Sequence, residues 1–162
     1  PAFQAKPLAS NPAALHALSK FNQTRQIKAP ISSLQAPLPT KSYPLGTNPL
    51  DFQQINVNSK GTMTIISKDS VQHKFQLAQG KWMKGKSNLV GPYMLRAAKV
   101  DLAQKAPFDY AGSYRWLNAE TLEITLLYFE IPHHWTFTLK GDQISVVNSF
   151  EPKTEIKLPQ RK

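Results

Sequence analysis

The feature that most constrains this sequence is a series of short alternating segments that begins at Phe52 and continues to the C-terminus. Apolar and polar residues alternate within each segment, and turn-forming residues separate one segment from the next. There is no alternation of strands with helical patterns, which a parallel sheet would require. Several of the turns are short enough for hairpins. The pattern therefore predicts seven or eight antiparallel strands in meander order.

The predicted strands are, in order, FQQINV, TMTIIS, VQHKFQLA, YAGSYRWL, TLEITLLYFE, HHWTFTLK and QISVVNSF, with a further short strand around 154–158. The fold class that follows is mainly β, an antiparallel meander forming a closed or nearly closed, lipocalin-like barrel. Closure removes the unpaired edges of a sheet and creates an inside and an outside. Residues 92–109 have a helix-forming composition but poor periodicity, and are predicted as a loop that could contain a helix.

One helix is predicted ahead of the β-rich part. Asn11 is a good N-cap, and Pro12 suits the first helical position. Leu15, Leu18 and Phe21 recur at the spacing of a single helical face. The sequence therefore predicts an amphipathic helix near the N-terminus.

A proline-rich segment follows this helix. Eight of the 13 prolines lie within the first 50 residues, and Pro30 ends the helical pattern. The stretch APISSLQAPLPTKSYPLGTNPL has no sustained period, and is predicted to lie extended across a surface with one short strand near Tyr43. The chain thus divides into an N-terminal helix and proline-rich linker segment at 1–50 and an antiparallel β-domain at 51–162.

Length and composition restrict the class of protein. At 162 residues the chain can form one domain with a core, and its hydrophobic content of 41% argues against disorder. The absence of cysteine excludes disulfides, thiol chemistry and cysteine-ligated metals. No apolar run approaches the ~20 residues of a membrane-spanning helix, and no signal-peptide pattern is present. Because the chain begins at Pro1 rather than Met, we interpret it as an excised piece of a longer protein.

The formal net charge of +10 raises the question of an anionic partner. The lysines are spread along the chain, and the densest group is only Lys81, Lys84 and Lys86. There is no arginine-rich helix and no RNA-binding aromatic motif. The charge therefore predicts a solvated basic surface, and nucleic acid is an unlikely partner. A nucleic-acid or envelope-polymer binder would instead show a steep salt dependence.

The residues best suited to catalysis or ligand binding lie between two predicted strands. Period two places Tyr128 and Glu130 on the inner face of one strand, and extrapolation places His133 on the same side as Trp135 of the next. His134 then faces outward. Glu130 and His133 are therefore expected at the mouth of the barrel.

Aromatic residues are expected around this pair. The predicted lining is Tyr114, Trp116, Tyr128 and Trp135, with Trp82 covering the opposite side. An aromatic-lined cavity with few polar groups is typical of a small-ligand site, but inward aromatics more often form an ordinary core. Glu130 either binds a ligand or accepts hydrogen bonds that fix the hairpin. The set is a candidate ligand-binding or structural cluster.

Neither a metal site nor a catalytic site is predicted. Glu130 and His133 lack a third inward ligand for zinc, because His134 points outward and the other histidines are distant in sequence. The chain contains no Ser-x-x-Lys, Gly-x-Ser-x-Gly, phosphate-binding glycine loop or His-Glu-x-x-His. A Glu130–His133 acid–base pair would have no evident nucleophile or oxyanion hole beside it. The prediction is no cofactor, no metal and no catalytic residue on this chain.

Several segments, taken in order, carry a family resemblance. They are NPAALHALSKF, YPLGTNPLDFQQINV, GKWMKG, YAGSYRWLNAETLEITLLYFEIPHHWTFTL and KGDQISV. Together they resemble the C-terminal β-rich accessory domain of bacterial serine hydrolases related to class C β-lactamases and penicillin-binding proteins. The matching positions are Pro44, Asn48, Pro49, Leu50, Gly80, Trp82, Gly112, Trp116, Tyr128, Glu130, Pro132 and His133.

The resemblance covers nearly the whole chain, but the hydrolase half, with its Ser-x-x-Lys, Tyr-x-Asn and Lys/His-x-Gly elements, is missing. It implies a non-catalytic accessory domain, covalently linked to or associated with a serine hydrolase domain, that acts in domain packing, substrate access or envelope interaction. It also implies a periplasmic or secreted location, since most such parents are exported. The Lys/Gln/Asn-rich surface departs from the family and leaves the partner surface open.

Two other classes of function remain open. A stand-alone β-barrel that binds a small apolar or aromatic ligand should have a deep open cavity, whereas an excised domain should expose an apolar patch where its partner packed. An enzyme in its own right would have to use Glu130 and His133.

Overall fold

The structure, a computed structural model, describes residues 11–24, 27–93 and 104–160. Within these ranges one helix, α1 (Pro12–Thr24), precedes eleven strands. The strands are β1 (Lys41–Pro44), β2 (Phe52–Asn58), β3 (Thr62–Ser67), β4 (Gln72–Gln76), β5 (Ala78–Gln79), β6 (Met83–Ser87), β7 (Phe108–Asn118), β8 (Thr121–Tyr128), β9 (His134–Lys140), β10 (Gln143–Asn148) and β11 (Glu155–Leu158). The prediction of a mainly β chain with one N-terminal helix is confirmed.

The strands form two sheets. β1 to β4 make a four-stranded antiparallel sheet in sequence order. The second sheet runs β11-β10-β9-β8-β7-β5, and β6 also pairs antiparallel with β7. The one parallel pairing among the described strands joins β5 to β7, with Ala78 opposite Ser113. Antiparallel pairing is therefore correct for all but this short strand, but the predicted meander is divided between two sheets.

The two sheets approach each other at both sides without forming a continuous ladder. On one side the backbone N–H of Gly46 donates to the carbonyl of Pro159 at 2.7 Å, and Leu45 forms an isolated bridge with Gln160. On the other side the backbone N–H of Gln76 donates to the hydroxyl of Tyr110 at 2.7 Å. Neither sheet closes on itself over the described residues, so the lipocalin-like barrel is not confirmed.

The core lies between the two sheets. Phe52 of β2 contacts Trp135 of β9 edge to face, with ring centroids 5.8 Å apart. Phe75 of β4 makes the same kind of contact with Tyr110 of β7 at 4.9 Å. Buried residues from both sheets belong to one hydrophobic cluster. This shared core joins the sheets into one packed unit.

The faces of β8 follow the predicted alternation on the inner side. Leu122, Ile124, Leu126 and Tyr128 are buried, as period two requires. The outer side is less exposed than its polar sequence suggests, because Thr125 is also buried. The neighbouring strand β7 shows the same burial: Ser113, opposite Thr125, is buried, and its hydroxyl donates to the carbonyl of Ala78 on β5 at 3.1 Å.

The N-terminal helix has its predicted cap. The side-chain oxygen of Asn11 accepts a hydrogen bond from the backbone N–H of Ala14 at 3.0 Å. Residues 11–22 are all exposed, however, including Leu15 and Leu18. The predicted apolar face therefore exists, but no described part of the β-sheets buries Leu15 or Leu18.

The extended segment and its short strand are also as predicted. Residues 27–40 form neither helix nor strand, and Tyr43 then pairs with Ile55 in β1. The division at residue 50 stays a prediction, although β1 on its N-terminal side pairs with β2 on its C-terminal side.

Two strands, the two-residue β5 and the longer β6, were not predicted. β6 pairs with β7 although its sequence, MKGKS, has no clear apolar alternation. Gly85 lies against the ring of Tyr110, where a Cβ atom would come within 2.6 Å of the hydroxyl. A glycine is needed at this close approach, and its presence removes the alternation that would reveal a strand. Most of the predicted loop at 92–109 (residues 94–103) lies outside the described residues.

Candidate functional site

The structure distributes the predicted cluster over three places. Trp82, Tyr114 and Trp116 contact the extended N-terminal segment. Tyr128 and Trp135 lie in the core between the sheets. Glu130 and His133 lie in the connection between β8 and β9.

The first group holds the main chain of residues 27–38, which we name the strap. The indole N–H of Trp82 donates to the carbonyl of Ile27 at 2.8 Å. The indole N–H of Trp116 donates to the carbonyl of Ala36 at 3.0 Å, and the hydroxyl of Tyr114 donates to the same carbonyl at 3.4 Å. Three predicted ligand-binding aromatics therefore bind a segment of their own chain.

Gln79 completes this contact, and sequence reasoning missed it. Its side-chain oxygen accepts from the backbone N–H of Ala36 at 3.2 Å, and its side-chain nitrogen donates to the carbonyl of Leu34. The hydroxyl of Ser32 in turn donates to the backbone carbonyl of Trp116. A glutamine in a two-residue strand gives no sequence signal of this kind, because its partners are main-chain atoms.

The second group is packed rather than open. Trp135 is 4% exposed and makes edge-to-face contacts with Phe52, Tyr128 and Phe137, with ring centroids 5.8 to 6.1 Å apart. Burial raises the pKa of Tyr128 above its usual range, and the tyrosine hydroxyl has no hydrogen-bond partner among the described residues. These rings fill the space between the sheets where a central cavity was considered.

Glu130 is an exposed residue with a main-chain partner. Its carboxylate accepts a hydrogen bond from the backbone N–H of Asp109 at 3.0 Å, and the carbonyl of Asp109 accepts from the backbone N–H of Phe129 at 3.0 Å. These bonds extend the pairing of β8 with β7 by one step. Glu130 thus accepts a structural hydrogen bond, as one of the two predicted roles requires, and the donor lies at the start of β7.

His134 faces outward on β9, as strand parity predicts. β9 begins at His134, whose side chain is on the opposite face from Trp135. Burial, together with the nearby His133, lowers the pKa of His134. The ring of His133 packs edge to face on Phe150 at 5.1 Å between centroids. His133 therefore contacts an aromatic side chain near the end of β10.

A surface cleft of about 510 Å³ lies at the end of the sheets. Its lining comprises Leu50, Asp51, Phe52, Ser67, Lys68, Asp69, His73, Asn88, Leu89, Val90, Tyr93 and Trp135. Trp135 is the member of the predicted cluster that reaches this cleft. The other lining residues come from three loops and strand ends that are distant in sequence, which is why period two could not group them.

One wall of the cleft carries a polar network. The hydroxyl of Ser67 donates to the carboxylate of Asp69 at 2.7 Å and lies 3.1 Å from the Nε2 atom of His73. Burial lowers the pKa of His73, with the nearby Asp69 acting in the opposite sense. In a catalytic triad the carboxylate binds the Nδ1 atom of the histidine. The described bonds of the Asp69 carboxylate include the Ser67 hydroxyl but not His73, so this network differs from a triad. It holds the β3–β4 turn and can offer polar groups to a ligand.

Metal binding and membrane crossing find no structural support in the described ranges. No three His, Asp or Glu side chains there come together as a metal site would require. The described α1, at 13 residues, is too short to cross a bilayer as a helix.

Comparison with family models, with curated proteins and with solved structures finds no match for this chain.

Proposed function

We propose that this chain is a non-catalytic accessory domain of a β-lactamase-like serine hydrolase, acting in domain packing, substrate access or envelope interaction. The ordered set of motifs supports this proposal. The aromatic residues at the motif positions also support it, because they have structural roles. Trp82 and Trp116 hold the strap, and Glu130 holds the start of β7. The acyl-transferring serine would belong to the linked or associated hydrolase domain, in the periplasm or outside the cell.

The observation that carries the proposal is the exposure of α1. Leu15 and Leu18 are 60% and 54% exposed on one face of a 13-residue helix. A helix of this length is marginal in water, and most helices in proteins are stabilised by packing of an apolar face. Burying each of these leucines would contribute on the order of 1–2 kcal/mol. An apolar face that these sheets do not cover is what a domain separated from its partner should show.

The barrel belongs to the same proposal. The bridge between Leu45 and Gln160 and the bond from Gln76 to Tyr110 bring the two sheets together at both sides. We propose that these contacts make a barrel-like domain whose interior is filled by side chains, in keeping with an accessory role rather than with a central ligand chamber.

Site-specific photo-crosslinking tests the accessory role. A p-benzoylphenylalanine at position 18 of the protein expressed in its own host should crosslink to a polypeptide segment that a fluorescent penicillin labels on its active-site serine. The same residue placed at position 60, in the exposed β2–β3 turn, is the control and should not. Crosslinks from position 18 that reach only segments without the penicillin label would rule out a hydrolase partner.

The alternative function, binding of a small apolar or aromatic ligand, is favoured by the cleft beside Trp135. The cleft combines apolar walls from Leu50 and Leu89 with polar groups, which is the usual make-up of a small-ligand site. Titration with 1-naphthol, followed by tryptophan fluorescence, should then saturate, and Leu89→Arg should weaken the binding at least tenfold. A titration without saturation, or one unaffected by Leu89→Arg, argues against the cleft as a binding site.

A further inference from the structure

The strap has an unusual distribution of contacts. Its main chain faces the β-sheet, where Gln79, Trp82 and Trp116 satisfy carbonyls at three points along the segment. Its C-terminal end is anchored by Leu38, which is 1% exposed and belongs to the core. The strap is therefore a fixed part of this domain from Ile27 to Leu38.

Two apolar side chains of the strap are largely exposed. Ile27 and Ile31 are 71% and 76% exposed, and Leu34 is also exposed. A segment that packed only within this domain would be expected to bury its large apolar side chains. Here the carbonyls of Ile27, Leu34 and Ala36 are bound by side chains of the domain, while the Ile27 and Ile31 side chains are largely in solvent. This arrangement suits a segment that lies between two surfaces.

The charges of α1 and the strap indicate what kind of surface would contact the exposed side of the strap. Residues 11–50 contain no Asp or Glu, and the described cations of α1 and the strap are Lys20 and Lys28, since Lys41 is paired with Asp142 at 2.6 Å. Complementarity then requires an apolar surface bordered by carboxylates. A membrane surface fits less well, because a membrane-binding helix is rich in Lys and Arg, whereas α1 holds one lysine and no arginine.

We propose that residues 27–38 form a two-sided strap, whose main chain is clamped by Gln79, Trp82 and Trp116 and whose Ile27 and Ile31 side chains dock on an apolar, carboxylate-bordered surface of a partner protein domain. The inference rests on the proposed function in taking this partner to be the serine hydrolase domain. It adds that the strap, and not α1 alone, makes the interface.

Hydrogen exchange of the full chain tests the clamp. Gln79→Leu removes both hydrogen bonds of the side chain, so exchange at the Ala36 amide should accelerate at least tenfold while the amides of β8 keep their rates. Gln53→Leu is the matched control, since it removes one glutamine–carbonyl bond, to Lys68, elsewhere on the surface. An unchanged rate at Ala36 in Gln79→Leu would show that the side chain does not hold the strap.

Crosslinking from position 31, in parallel with position 18, tests the docking side. Position 31 should crosslink to the penicillin-labelled segment, and Ile31→Glu should reduce the yield from position 18 at least fivefold more than Ile31→Lys does. A labelled crosslink from position 18 alone overturns the strap inference and leaves the proposed function standing. Unlabelled protein crosslinked from both positions overturns the proposed function, and equal effects of the two charges overturn the carboxylate border. Co-sedimentation of the chain with anionic lipid vesicles, lost in Ile31→Glu, would assign the strap to a membrane instead.

Discussion

Two groups of aromatic side chains in this protein use the same residue types in opposite ways. In the core, Trp135 and its neighbours contribute ring surface, and the hydroxyl of Tyr128 has no described partner. At the strap, Trp82 and Trp116 contribute their indole N–H groups, which bind main-chain carbonyls. Trp and Tyr combine a large apolar body with one polar group, and burial decides which part carries the interaction. Aromatic residues that were predicted to line one pocket therefore serve two separate purposes, core packing and the binding of main-chain carbonyls.

The largest expected effect concerns the core group. Trp135→Ala should lower the free energy of unfolding by about 3–5 kcal/mol, because it leaves a cavity among three aromatic partners. Urea denaturation followed by circular dichroism measures this change. Trp82→Ala, which removes a half-buried ring at the strap, should cost clearly less. Equal costs for the two changes would break the distinction between the groups.

The polar side of the comparison is tested by Trp116→Phe. The change keeps an aromatic ring and removes the N–H that binds the carbonyl of Ala36, so we expect a loss of about 1 kcal/mol in the free energy of unfolding. Tyr114→Phe removes the longer contact to the same carbonyl and should cost less. If both changes are neutral while protease cleavage within the strap also stays unchanged, the hydrogen bonds do not hold the strap.

A pH dependence of stability should arise from two histidines, His73 and His134. Burial lowers the pKa of both side chains, so the folded protein binds fewer protons than the unfolded chain, whose histidines titrate at about 6.5. Their contribution to stability is complete above this value and is lost as the pH falls from it through the folded-state pKa values. His73→Gln should therefore reduce the slope of unfolding free energy between about pH 7 and pH 5, measured by denaturation at each pH. A slope that is the same in His73→Gln and in the unsubstituted protein would contradict this origin of the pH dependence.

The smallest expected effect is at Glu130. Glu130→Gln keeps an oxygen that can accept from the backbone N–H of Asp109, so the free energy of unfolding should change by no more than about 0.5 kcal/mol. Glu130→Ala removes that acceptor and should cost more, as a thermal unfolding series would show. A large effect of Glu130→Gln with little further loss in Glu130→Ala would indicate that the charge itself has a role.

Much of the fold could be predicted from the sequence because strand alternation reports which face is buried. The inner face of β8 and the strand at Tyr43 follow from this local signal. β6 does not, since Gly85 fits against Tyr110 by having no side chain to alternate. Whether two sheets join into one barrel depends on edge contacts such as Leu45 with Gln160, which join residues far apart in sequence and leave no periodic trace.

The candidate site was harder to predict for a related reason. Strand alternation indicates which face of a sheet a side chain occupies, but not how far it lies from the centre of the core. It therefore grouped Trp116 with Trp135, although Trp116 holds the strap and Trp135 lies in the core. Main-chain acceptors such as the carbonyl of Ala36 are present in any sequence and mark nothing. The polar network of Ser67 and His73 depends on a turn that brings residues six positions apart together.

The clamped strap has a consequence for the energetics of association. A free linker would explore a volume that grows with its length, and closing two domains across it would require that freedom to be given up. From Ile27 to Leu38 the backbone is already ordered by this domain, so in the proposed complex those residues would lose little further conformational entropy. A proline-rich segment that was predicted as a linker is therefore an ordered part of the domain.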